Sequence, residues 1–195
     1  MIRIYLAAID IVPAAVVLVP LFLLLHKTVY NRNLRKTVRY CLFCLYLSAV
    51  MSLVGIPNVT YFRPDVNLNL IPFRGLIADL KNCILNVALF VPLGLFLPML
   101  WQKYRTLKYT AGFGFCLSLF IELIQMLTFR ATDVNDLITN VLGTLTGFFL
   151  AMPIVAKKPA AGERSRDAFI LLSLSFGVMF FIHPFLSPLI WDRIL

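Results

Sequence analysis

Six apolar runs, each about 20 residues long, follow one another along the chain with polar breaks between them. They cover roughly Tyr5–His26, Val38–Ile56, Asn82–Trp101, Tyr109–Thr128, Asp136–Ala156 and Asp167–Leu186. Each is long enough to cross the hydrocarbon core of a bilayer as a helix. In lipid a segment must satisfy its own backbone hydrogen bonds, so runs of this length predict helices. The strand-like alternation of a transmembrane barrel is absent. The pattern therefore predicts an all-α polytopic membrane protein, a bundle of about six transmembrane helices in a single domain over residues 1–195. The first run has a thin positive flank (Arg3), is interrupted by Asp10 and Pro13, and lacks a small-residue cleavage site. It reads as an uncleaved helix rather than a signal peptide.

Composition agrees. The chain is 61% hydrophobic and only 14% charged, with 17 Phe, which excludes an ordinary soluble domain. Its net charge of +9 is informative through its distribution. Lys27, Arg32, Arg35, Lys36 and Arg39 follow the first span; Lys103, Arg105 and Lys108 follow the third; Lys157, Lys158, Arg164 and Arg166 follow the fifth. These three connections lie on one side of the membrane, and the positive-inside rule makes that side cytoplasmic. Both termini, the long connection 57–81 and the short one 129–135 then face outward. With no interleaving of basic and aromatic residues, the charge marks orientation and attraction to anionic lipid, and nucleic acid is not an expected partner.

The outer segment 57–82 is long for a structureless loop. Leu76–Lys81 is expected to begin a short interfacial helix, with Tyr61, Phe62 and Phe73 at headgroup level and Arg63 and Arg74 reaching phosphates. Pro13, Pro20, Pro92 and Pro98 predict kinks that make room for a cavity beside spans one and three. Cys41 and Cys44 form a CxxC within an apolar helix and read as small buried residues, since no further metal-ligating side chain is near. His26 and His183 read as isolated and structural.

Polar side chains inside the spans change the picture most. Asp10, Asn86, Glu122, Gln125 and Asn140 lie within apolar runs. A carboxylate at mid-bilayer costs roughly 2.5–3.5 kcal/mol, so such groups face the protein interior and often function. On the deduced topology Glu122 sits about 9 Å below the outer boundary and Asn140 about 6 Å inside Asp136. Asp133, Asp136, Asn140, Gly143 and Gly147 step by three and four and share a helix face; Glu122 and Gln125 share another. Together they predict a polar pocket open to the outside. Structural readings stand beside this one: Asp133 or Asp136 as a helix N-cap, Glu122 paired with Arg130, the asparagines as interhelical bridges, and Gly143 with Gly147 as a close-packing motif.

At these residues the chain resembles the VanZ-like family of bacterial membrane proteins. The resemblance rests on NLIPF (Asn69–Phe73), NVALFVPLG (Asn86–Gly94), Glu122 with Gln125, and Arg130, Asp133, Asp136, Asn140 and Gly143, over about residues 69–150. It implies a multi-pass protein of the bacterial cytoplasmic membrane and a link to teicoplanin-type lipoglycopeptide resistance or to envelope homeostasis. It carries over no catalytic residues.

Three functions are weighed. The first is binding or shielding of a lipid-linked envelope component, such as a cell-wall precursor, or of a lipoglycopeptide. Arg74 and Arg130 would pair with phosphate, and Asn86, Glu122, Gln125, Asp133, Asp136 and Asn140 would line the site. The second is a membrane enzyme acting on a lipid phosphate or glycolipid, with the carboxylates holding Mg²⁺ or Ca²⁺ or with Glu122 as acid or base. No Ser-His-Asp set, reactive cysteine or phosphate-cradling glycine loop supports it, and no metal or cofactor is assigned. An ion-coupled transporter ranks last, because no ionisable path reaches the cytoplasmic half.

Overall fold

The computed structural model describes residues 2–56, 58–60, 68–69, 71–73, 79–127, 132–157 and 164–192. Among the described residues, six helical stretches are long and apolar enough to cross a membrane: Ile9–Thr28, Leu34–Val54, Leu80–Leu100, Leu107–Gln125, Val134–Val155 and Asp167–Trp191. The protein is all-α and multi-pass. Many large apolar side chains stay exposed, among them Leu23, Leu24, Phe149, Leu150 and Ile170. In a soluble protein these would be liabilities, but lipid tails are as apolar as leucine and offer no reason to bury them.

The chain gathers into two compact units, one of Met1–Phe62 with Ala168–Leu195 and one of Arg63–Asp167. In the first, α1 (Ile2–Thr28) and α2 (Leu34–Val54) form a hairpin. Asn31 and Arg32 turn the chain with φ of 48° and 58°, and Asn33 caps α2 by accepting from Lys36 N at 3.1 Å. Leu18, Phe22, Tyr40, Phe43 and Leu47 fill the core. His26 is tied to Thr37, Nδ1 to Oγ1, at 2.9 Å. Cys44 is buried, its thiol 3.6 Å from the Leu171 carbonyl, so the CxxC is ordinary helix packing. Gly55 ends α2 in the left-handed region at φ 67°, where its N–H returns to the last-turn carbonyls of Met51 and Ser52.

The last span is less regular than its apolar run suggests. It begins as α6 (Asp167–Gly177), passes through a π-helical turn at Val178–Ile182, and continues as α7 (His183–Trp191). Pro184 explains the interruption, having no N–H to donate to the Phe180 carbonyl four residues back. Val59 N supplies a donor instead, 3.2 Å from Phe180 O.

The second unit holds α3 (Leu80–Leu100), α4 (Leu107–Gln125) and α5 (Val134–Val155). A parallel pairing of β1 (Leu68–Asn69) with β2 (Thr132–Asp133) joins its two connections, in the register Leu68 to Thr132 and Asn69 to Asp133. α3 and α5 pack closest, and glycine is the reason. A Cβ on Gly143 would fall against the Val87 carbonyl oxygen, one on Gly147 against that of Val91, and one on Gly94 against that of Thr144. The pair Gly143 and Gly147 therefore serves close packing. α3 runs unbroken past Pro92 and Pro98. The expected helix at Leu76–Lys81 falls largely outside the described residues; α3 itself starts at Leu80.

Between α3 and α4 a 3₁₀ turn, Gln102–Arg105, buries Tyr104 edge-on against Trp101 at 5.9 Å and Phe113 at 5.6 Å. Thr110 Oγ1 donates to its carbonyl at 2.5 Å. Burial pushes the Tyr104 phenol up to about 12, because the charged form would lose its hydration. The folded state then holds this proton where the unfolded chain has released it. Stability contributed by Tyr104 is intact below about pH 10 and is lost as pH rises through about 12. In an ultraviolet pH titration, Tyr104→Phe is expected to remove a tyrosinate step near pH 12; loss of a step near 10 would refute the burial argument.

Candidate functional site

The polar residues of the second unit meet at one end, where α3 and α5 begin and α4 finishes. Each is placed by local chain chemistry. Asp133 is the N-cap of α5: its Oδ1 accepts from Asn135 N at 2.8 Å, which satisfies a free amide and sets a carboxylate at the positive end of the helix. Its Oδ2 accepts from Asn69 Nδ2 at 3.1 Å, reinforcing the β pairing. Its own N–H donates to Glu122 Oε2 at 3.0 Å. One aspartate thus links α4, α5 and the strand from the preceding connection.

Three residues further, Asp136 Oδ1 accepts from Asn86 Nδ2 of α3 at 2.7 Å. One turn deeper, Asn140 Nδ2 donates to Ser118 Oγ of α4 at 2.9 Å. Glu122, Gln125, Asn135, Thr139 and Asn140 are all buried, whereas Asp133 and Asp136 keep partial exposure. A buried polar group is costly unless hydrogen-bonded, and within a membrane span the cost has no water to relieve it. The interlocked bonds are what make the cluster tolerable.

Of the eight site residues expected from sequence, the structure joins Asn86 to Asp136 and Glu122 to Asp133, and sets Asn140 on Ser118. Gln125 is buried on the same helix as Glu122. Arg74 and Arg130 lie outside the described residues, as do Arg63, Tyr61 and Phe62. The single face expected for α5 divides in two. Asp136, Gly143 and Gly147 address α3, while Asn140 and Thr144 turn toward Ser118 and Gly114 of α4. At 100° per residue the two sets are centred about 60° apart, so one helix serves two neighbours. Asp10 sits in the other unit, beside Ser52 and His183, so His183 is not isolated.

Three further residues take part. Ser118 stands four residues before Glu122, on the face that also carries Gln125, and that spacing would have found it. Asn69 lies in the NLIPF motif but gave no hint of its partner. Asn135 ties the cluster to the preceding connection, because its Oδ1 accepts from Phe73 N at 2.7 Å. Phe73 is held at φ 63°, a left-handed conformation costly for a bulky residue, with 66% of its surface exposed. Among the described residues, no three His, Cys, Asp or Glu side chains converge to hold a metal ion.

These features define a class: a multi-pass helical membrane protein with a buried, hydrogen-bonded polar cluster closing one end of a three-helix unit. The VanZ/LLP1 family profile matches residues 37–156, and the chain belongs to that family. The match reaches further toward the N-terminus than the motifs do. Over 87 residues the chain is 38% identical to Protein VanZ of Enterococcus faecium, a stretch that makes up 43% of this chain and 52% of that relative. It thus spans about half the length of the curated relative it matches. No solved structure matches significantly.

Proposed function

We propose that the cluster end of the second unit faces outward and binds or shields a lipid-linked envelope component or the lipid-anchored part of a lipoglycopeptide. The observation that carries this reading is Phe73. Its side chain is exposed, its backbone is left-handed, and its N–H is tied to Asn135 of the polar cluster. Strain of this kind costs on the order of 1–3 kcal/mol and persists at ligand clamps and active sites, where surrounding structure enforces it. An exposed aromatic residue tied to a cluster of carboxylates and amides suits an amphiphile, whose tail takes the ring and whose polar head takes the cluster. Arg74 and Arg130 are assigned the phosphate on the strength of the sequence. The basic connections support this orientation, since the positive-inside rule assigns them to the cytoplasmic side.

The test is susceptibility of a Gram-positive host to teicoplanin and to vancomycin, with wild type, Phe73→Gly and Asp136→Ala at matched membrane levels. Wild type is expected to protect against teicoplanin alone. Phe73→Gly relieves the backbone strain, so it should be no less stable, yet it should lose protection. If no version protects, or all protect equally, the proposal fails.

A further inference from the structure

The first unit has a polar cavity of its own, of about 140 Å³. Asp10 of α1, Ser52 of α2, Asn58 of the following turn and His183 of α7 line it, with Met51 and Met179 as its soft walls. Ser52 Oγ donates to Asp10 Oδ2 at 2.6 Å. The other carboxylate oxygen, Oδ1, lies 3.5 Å from His183 Nε2, too far for a good hydrogen bond. The Asp10 side chain remains 33% exposed. The π-helical turn at Val178–Ile182 ends directly before His183, and such turns recur at functional sites.

We propose that this cavity binds a primary ammonium group on a short alkyl stem. The lining selects for it by elimination. Among the described residues no Lys or Arg lines it, so an anion would meet the Asp10 carboxylate without a permanent positive charge to offset it. An apolar guest would leave that carboxylate unpaired within a membrane span. One carboxylate, one hydroxyl and one amide are too few oxygens for Ca²⁺ or Mg²⁺. Among the described residues no aromatic ring lines it, so a trimethylammonium group lacks the cage it prefers. A primary ammonium donates to Asp10 Oδ1, which keeps free lone pairs, while its stem lies against the two thioethers. The volume is close to the roughly 150 Å³ that accommodates benzene, which leaves room for an ethanolamine-sized group. Its source is either the headgroup of a lipid such as phosphatidylethanolamine or a diffusible amine.

The experiment uses the full chain purified in detergent. Ethanolamine and choline are titrated by saturation-transfer NMR, and native mass spectrometry compares retained phosphatidylethanolamine with phosphatidylglycerol. Ethanolamine is expected to bind saturably and choline at least about tenfold more weakly, the difference expected from one charge-assisted hydrogen bond. Asp10→Asn should lose about tenfold in affinity. Asn58→Asp supplies a second carboxylate and should bind more tightly. It preserves the fold, because Asn58 Oδ1 only accepts, from Thr60 N at 3.1 Å and Thr60 Oγ1 at 2.7 Å, and a carboxylate accepts equally well. Retained phosphatidylethanolamine that ethanolamine displaces identifies a lipid source; binding of free amine alone identifies a diffusible one. Absence of saturable binding, unchanged affinity in a folded Asp10→Asn, or no gain in Asn58→Asp overturns the proposal. Should Asp10→Asn fail to fold, the Asn58→Asp arm decides.

Discussion

Gly147→Leu is expected to prevent α3 and α5 from pairing, leaving a protein that inserts but does not melt cooperatively. The reason is that the atoms in the way belong to the backbone. A Cβ at Gly147 would press on the Val91 carbonyl and lie 2.9 Å from the Gly94 Cα; one at Gly94 would lie 2.7 Å from Phe148 N and 2.9 Å from the Gly147 Cα. No flexible side chain is available to yield, so the helices must move apart. Helix association in lipid rests on close van der Waals packing and interhelical hydrogen bonds rather than on expulsion of water. Separating α3 from α5 therefore removes the interaction that holds the unit together, and stretches the bond between Asn86 and Asp136 as well.

Alanine gives a graded version. Gly94→Ala and Gly147→Ala should each cost about 1–3 kcal/mol, typical of overpacking. The double variant should cost less than their sum, because both require the same gap to open. Gly112→Ala and Gly177→Ala are the controls, since a Cβ at either meets nothing within 4 Å. Thermal unfolding in detergent separates the outcomes. Equal melting of Gly147→Ala and Gly112→Ala would contradict the close approach.

How much of this was legible in the sequence follows from what each feature depends on. The spans were legible because the bilayer itself demands about 20 apolar residues, and no tertiary contact alters that. Their ends moved by a few residues where capping decides: α5 starts at Val134 rather than Asp136 because Asp133 caps it. The chemical core of the cluster was legible for a related reason, since carboxylates and amides stand out in an apolar run. Partners were a different matter. Asn69 and Asp133, or Asp10 and His183, are far apart in the chain, and nothing local in either residue names the other. Membrane depth sets Asp10 level with Glu122 and Asp136 but does not name Ser52 and His183 as its partners. Depth orders residues along one axis and cannot say which unit a side chain joins. The left-handed backbone at Phe73 was equally hidden, because phenylalanine does not favour it and its partner Asn135 is 62 residues away.

Exchanging the two partners of the α3–α5 bridge should give the other large effect. In Asn86→Asp a second carboxylate replaces an amide donor 2.7 Å from Asp136 Oδ1. Two like charges about 4 Å apart repel by about 4 kcal/mol at an effective dielectric of about 20, close to the whole stability of a marginal domain. The variant is expected to melt far below wild type and to lose any protective activity. Asp136→Asn alone removes charge but keeps an oxygen that Asn86 can reach, so its stability loss should be small. The double variant Asn86→Asp with Asp136→Asn restores one donor facing one carboxylate, and should recover most of the lost stability. Recovery should stop short of complete. Asp136 lies in the first turn of α5, where the positive end of the helix favours a carboxylate, and the exchange moves that charge onto α3. The cycle also separates structure from binding. If the double variant melts near wild type yet fails to protect, the carboxylate is needed at 136 for its charge toward a ligand and not merely for the bridge. If Asn86→Asp is as stable as wild type, the two side chains do not meet as described, and the cluster loses its link to α3.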